Sequence, residues 1–225
     1  MKRWITFLLA AALLCLSGCN YTVDFADGNA PAAGDYDTDT PDGAALAAMD
    51  ALRRLDFETF DQYSDNHDAQ RNTYRILGGD MDVLEGKIAR ALFGGLTCEA
   101  GDVQLLDDRH AQVALHVENT DFSAILVDLM ERFVSRYLAD GTLEGADAEQ
   151  QVLEALQKAD ATQVWARDLL VEVDKTDGVW KLHLDGPLMD AACGGMISSA
   201  ESMGDQIAQG IENKIAGGLE DWLNP

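Results

Sequence analysis

The side chains of this chain best suited to chemistry are its histidines and a few well-spaced carboxylates. His110, His116 and Glu118 fall at even spacing in the segment HAQVALHVE, so a strand there would put all three on one face. Asp168 and Glu172 share a face in the same way further along, and His183 lies opposite the face of Trp180, Leu182 and Leu184. Imidazoles beside carboxylates suit a divalent metal or proton transfer. They can converge only if the strands that carry them pair into one sheet. The plainer reading is that they line the solvent side of an amphipathic sheet. No other chemistry is spelled out. Gly94-Gly95 and Gly194-Gly195 lack the Lys-Ser/Thr of a phosphate loop, and neither His-Glu-x-x-His nor Gly-x-Ser-x-Gly occurs. There is no Cys-x-x-Cys and no His-Cys cluster for zinc. Ser198, Ser199 and Ser202 have no histidine near them in sequence. The chain therefore yields no assigned catalytic residue, metal site or cofactor.

The elements that must position these residues follow from apolar spacing. Helix signals begin at Asp42, and Ala45, Ala48, Met49, Leu52 and Leu55 share a face at helical period. Asp56 interrupts and can cap a second short helix holding Phe57, Phe60 and Tyr63. The polar run 64–72 reads as a loop. Gly78-Gly79 precede Asp80, an N-cap for a helix with Met81, Leu84, Ile88 and Leu92, which Gly94-Gly95 end. The period then falls to two. Val103 and Leu105, the turn pair Asp107-Asp108, and Ala111, Val113, Leu115 and Val117 spell a β-hairpin.

Asp121 opens another helix carrying Phe122, Ile125, Leu129, Phe133 and Tyr137, on which Asp128 and Arg132 can pair. A further helix is expected over 148–158. Leu169, Val171 and Val173, the turn Asp177-Gly178, and Trp180, Leu182 and Leu184 make a second hairpin. Residues 187–222 read as helical with a break at Gly194-Gly195. Met203, Ile207, Ile211, Ile215, Leu219 and Leu223 recur every four residues there, a stripe that winds around the helix. Trp165 and Trp180 are assigned to the core. The expectation is an α+β fold: an antiparallel sheet of about four strands in two hairpins, helices packed on one face, a helical insertion between the hairpins, and a C-terminal helix.

Charge limits the partners. The chain carries 16 Lys+Arg against 40 Asp+Glu, a formal net charge of −24. That excludes a nucleic-acid face, which needs basic residues to neutralise phosphate, and a broad contact with anionic lipid. Because the charge is spread along the chain, its simplest effect is solubility and repulsion from an anionic envelope. With 47% hydrophobic residues, a sizeable core is within reach.

The N-terminus carries an address. Lys2-Arg3 precede an apolar run from Trp4 to Leu16, shorter than the roughly 20 residues a spanning helix needs. A basic start, an apolar run and small residues are the pattern of export. The residues Leu16-Ser17-Gly18-Cys19 resemble the lipobox of bacterial lipoproteins. The resemblance implies that residues 1–18 are a signal peptide and that Cys19 is lipidated. Two or more acyl chains would then hold the protein on the cell membrane, facing the extracytoplasmic side. Residues 19–41 read as the lipidated cysteine and a flexible acidic tether, and 42–225 as one extracytoplasmic domain. An exported location permits a disulfide between Cys98 and Cys193, although two buried free thiols would look the same in sequence.

Two further stretches, GAALAAMDALRRLDFETFDQY and DGVWKLHLD, resemble the opening helix and closing hairpin of secreted domains in the nuclear transport factor 2-like superfamily. The resemblance implies a cone-shaped cavity between helix and sheet. The insertion after Asp121 and the C-terminal helix are departures, either of which could fill it. The expected function is a lipid-anchored, non-catalytic binding or interaction module for an unknown small-molecule or protein ligand. Alternatives are a hydrolase-like enzyme with a pocket on the polar sheet face, and a structural envelope component.

Overall fold

The computed structural model describes residues 34–65, 84–129, 132 and 145–203. The lipobox with Cys19, the expected cap Asp80 and the apolar stripe beyond Met203 lie outside the described residues. Among those described, no helix is long and apolar enough to cross a membrane.

The first helix, α1 (Pro41–Arg54), starts where Thr40 accepts a hydrogen bond from the Gly43 N–H, with proline in its first turn. It stops at Leu55, whose left-handed backbone (φ 61°) returns N–H bonds to the last carbonyls. Asp56 then caps α2 (Phe57–Tyr63) through the Thr59 N–H, as the sequence implies. After β1 (Ser64–Asp65) come α3 (Leu84–Phe93), β2 (Thr97–Leu105) and β3 (His110–Thr120). A helical stretch at 123–129 and α4 (Gly145–Gln157) form the insertion between the hairpins. The chain closes with β4 (Val164–Thr176), β5 (Val179–His183), α5 (Gly186–Ala192) and a helical stretch at 196–203. Asp128 and Arg132 pair as their spacing predicts.

The protein is α+β with one mixed five-stranded sheet in the order β1-β5-β4-β3-β2. The two expected hairpins are present and pair through β3 and β4, which run antiparallel from His110↔Asp174 to Thr120↔Val164. The expectation of about four antiparallel strands needs one correction. Ser64 and Asp65, taken as the start of a loop, add parallel to Leu182 and His183 as a fifth strand. Two residues are too few to show a period of two, so no pattern could announce them. The turn Asp177-Gly178 has positive φ at both positions (53° and 86°), the twist that closes a two-residue hairpin.

The sheet is amphipathic. Its inner face, with Val113, Leu115, Val117, Val171, Val173 and Leu182, is buried against Ala45, Ala48, Met49 and Leu52 of α1, with Phe60, Leu188 and Trp180 completing the core. The space beneath the sheet is thus packed with side chains. The domain also begins earlier than Asp42. The Gly34 N–H donates to Asp50 on α1, Tyr63 reaches Thr38, and the Trp180 indole donates to the Asp39 carbonyl. The segment 34–40, assigned to the tether, packs on the domain.

Asn119 joins three elements at one end of the sheet. It is 2% exposed; its amide donates to the carbonyls of Leu92 and Ala192 (2.9 and 2.6 Å) and its oxygen accepts from the Thr120 N–H. One carbonyl in the last turn of each of α3 and α5 is satisfied by this β3 side chain. Beside it Gly194 adopts a left-handed backbone (φ 57°), and a Cβ there would lie 2.0 Å from the Thr120 carbonyl oxygen.

Candidate functional site

The register of β3 on β4 places His116 directly opposite Asp168, and that of β2 on β3 places Glu99 on its other side. His116 Nδ1 lies 2.7 Å from an Asp168 oxygen, and Nε2 lies 3.0 Å from an Glu118 oxygen two residues along the same strand. Both ring nitrogens therefore face acceptors, an arrangement satisfied only when both carry a proton. The hydrogen bond it donates to Asp168, then that to Glu118, raises the His116 pKa above its ordinary value. The site is open: the His116 side chain is 39% exposed and that of Asp168 is 91% exposed. An imidazolium held by two carboxylates is a poor general base, because neither nitrogen offers a lone pair.

The other expected members of the polar face do not join this cluster. His110 sits at the β2–β3 turn, 2.8 Å from Asp107, whose hydrogen bond raises its pKa. The Asp107 carboxyl is lowered, first by the Arg109 backbone N–H and then by His110. Glu172 is exposed opposite Gln112. His183 lies at the β1 side of the sheet, 3.8 Å from Asp65. His116, Glu118 and Asp168 are thus brought together, whereas His110 and His183 are held at separate carboxylates. Among the described residues, no three or more His, Cys, Asp or Glu are arranged to hold a metal ion.

Two residues of this face escape a sequence reading. Glu99 precedes the alternation that marks the first hairpin, because β2 starts at Thr97 and carries a bulge between Ala100 and Val103. Leu170 is masked by its neighbours in the apolar run Leu169-Leu170-Val171, yet it points to the outer face and is 62% exposed. Trp180 is buried as expected, whereas Trp165 is only partly covered and carries Arg167 over its ring at 4.4 Å. Cys98 and Cys193 both pack against the core as free thiols, and burial pushes each pKa up to about 12.

Comparison with known proteins finds no matching family model, no matching curated protein and no matching solved structure.

Proposed function

We propose that this protein is a lipid-anchored extracytoplasmic binding module that does no chemistry of its own. The lipobox Leu16-Ser17-Gly18-Cys19 supports the anchor and its location. One observation carries the binding reading: among the described residues, the helices bury a single face of the sheet, and the opposite face carries an exposed leucine at its middle. With both ring nitrogens of His116 turned to carboxylates, that face offers no free imidazole lone pair to act as a base.

The test has two arms. Cys19→Ala should abolish labelling by a fatty-acid analogue and move the protein from the membrane to the soluble fraction; label retained on the variant rejects Cys19 as the acceptor. The purified wild-type protein should turn over nothing in a hydrolase panel. Turnover that disappears in His116→Ala or His183→Ala, with the fold intact, would replace the binding reading with an enzyme.

A further inference from the structure

The outer sheet face has a shape as well as a charge. Leu170 on β4 stands opposite Ala114 on β3, and a Cβ on Gly101 of β2 would lie 3.5 Å from that of Ala114. Across three strands the row therefore runs from one large apolar side chain over two small ones, leaving low ground beside the leucine. The row Asp168–His116–Glu99 bounds this trough on one side, and Glu172–Gln112–Gln104 bounds it on the other. Glu118 stands two residues beyond His116 on the same face. Among the described strand residues of this face, Lys181 is the one lysine or arginine, and its ammonium reaches the Asp61 carbonyl rather than the trough.

On the binding-module reading above, we propose that this face docks a cationic polypeptide segment of another protein, laid across the strands with an apolar side chain in the trough beside Leu170. Charge complementarity selects the occupant. A second copy of the mature chain, which without Lys2 and Arg3 has 14 Lys+Arg against 40 Asp+Glu, would bring −26 against −26, and anionic headgroups would be repelled in the same way. Strand addition by a second copy at the β2 edge is further blunted by its bulge and by Glu99 and Asp102. A basic segment meets Glu99 and Asp168 on one bank, where the His116 imidazolium offsets one of the charges, and Glu172 on the other, and it covers a leucine that otherwise faces water.

The test uses the mature protein and a fluorescein-labelled peptide of alternating lysine and leucine, read by anisotropy at low and at physiological salt. Binding should be saturable and weaken with salt. The triple variant Glu118→Gln, Asp168→Asn, Glu172→Gln should lose about tenfold or more in affinity, and Leu170→Ser about fivefold, each with its melting transition retained. Neutralising Glu58, Glu154 and Glu201, away from this face, should change affinity less than about twofold. Equal losses from the two triple variants would reduce the effect to bulk charge and overturn the proposal, as would an unchanged Leu170→Ser or the absence of saturable binding. Amide-shift changes on binding should cluster on the outer positions of β3 and β4. Changes centred elsewhere would overturn this surface while leaving the binding module standing, whereas turnover that depends on His116 would overturn the module itself.

Discussion

Replacing Asn119 should be among the most damaging single changes on the sheet, although it lies outside the apolar core. The side chain makes three hydrogen bonds: two donated to the final-turn carbonyls of α3 and α5, and one accepted from Thr120. Asn119→Ala removes all three and leaves the buried Ala192 carbonyl without its donor. A net hydrogen bond is worth about 1 kcal/mol, and an orphaned buried group costs more. The sum is about 3 kcal/mol, or roughly 6–12 °C in melting temperature for a domain of this size. Urea denaturation should show a lower midpoint with an unchanged slope, the sign of lost stability rather than an altered unfolded state. Asn119→Asp sharpens the test. It keeps the acceptor for Thr120 but aims a carboxylate at two carbonyls, so it should be worse than alanine near neutral pH and recover as the carboxyl protonates. An Asn119→Ala protein within about 1 kcal/mol of wild type would refute the idea that this amide ties the two helix ends to β3.

Because its folded pKa is raised above the ordinary 6.5, His116 contributes stability that is full below that value and fades as pH rises through the folded pKa. His116→Gln should therefore separate from wild type most near pH 6 and least near pH 9 in melting scans. For Asp50, burial alone would raise the carboxyl, but hydrogen bonds from Arg53, the Gly34 N–H and Arg54 outweigh it and hold it below the ordinary 3.8. Its contribution is present above that value and lost as pH falls through the folded pKa, so Asp50→Asn should be clearly destabilised near pH 7 and converge on wild type in strong acid. Cys98 and Cys193, buried and neutral, should resist iodoacetamide near pH 8 in the native protein and both react once it is denatured without reductant. Finding no reactive thiol in the denatured, unreduced protein would mean that they are bonded.

Much of this fold was legible because long amphipathic elements carry their own period. The alternation Ala111–Val113–Leu115–Val117 announces β3 and its buried face, and Asp177-Gly178 between apolar runs announces the last hairpin. What escaped depends on tertiary context. Ser64 and Asp65 become a strand only because β5 offers a free edge beside them. Gly34–Thr40 looks like tether in composition, yet Asp50, Tyr63 and Trp180 hold it in place through partners 16 to 141 residues distant. For the site, the shared parity of His116 and Glu118 could be read directly. That Asp168 rather than Glu172 meets His116 is a matter of register, which the side-chain pattern of two separate strands leaves free by steps of two.

The attachment of Gly34 to α1 has a geometric consequence for a protein held on a membrane. On the proposed anchor, residues 20–33 lie between the acylated Cys19 and Gly34, and fourteen residues span at most about 50 Å. The chain reaches Gly34 on the helical side of the sheet, because Asp50 belongs to the helix that covers the inner face. On the proposed anchor, the lipid would therefore be joined to the helical side of the sheet, with the outer face across the sheet from the point of attachment. On the proposed anchor and docking face together, a partner would meet Leu170 and its bordering carboxylates on the side of the sheet opposite the attachment point, so that binding and anchoring would not compete for one surface.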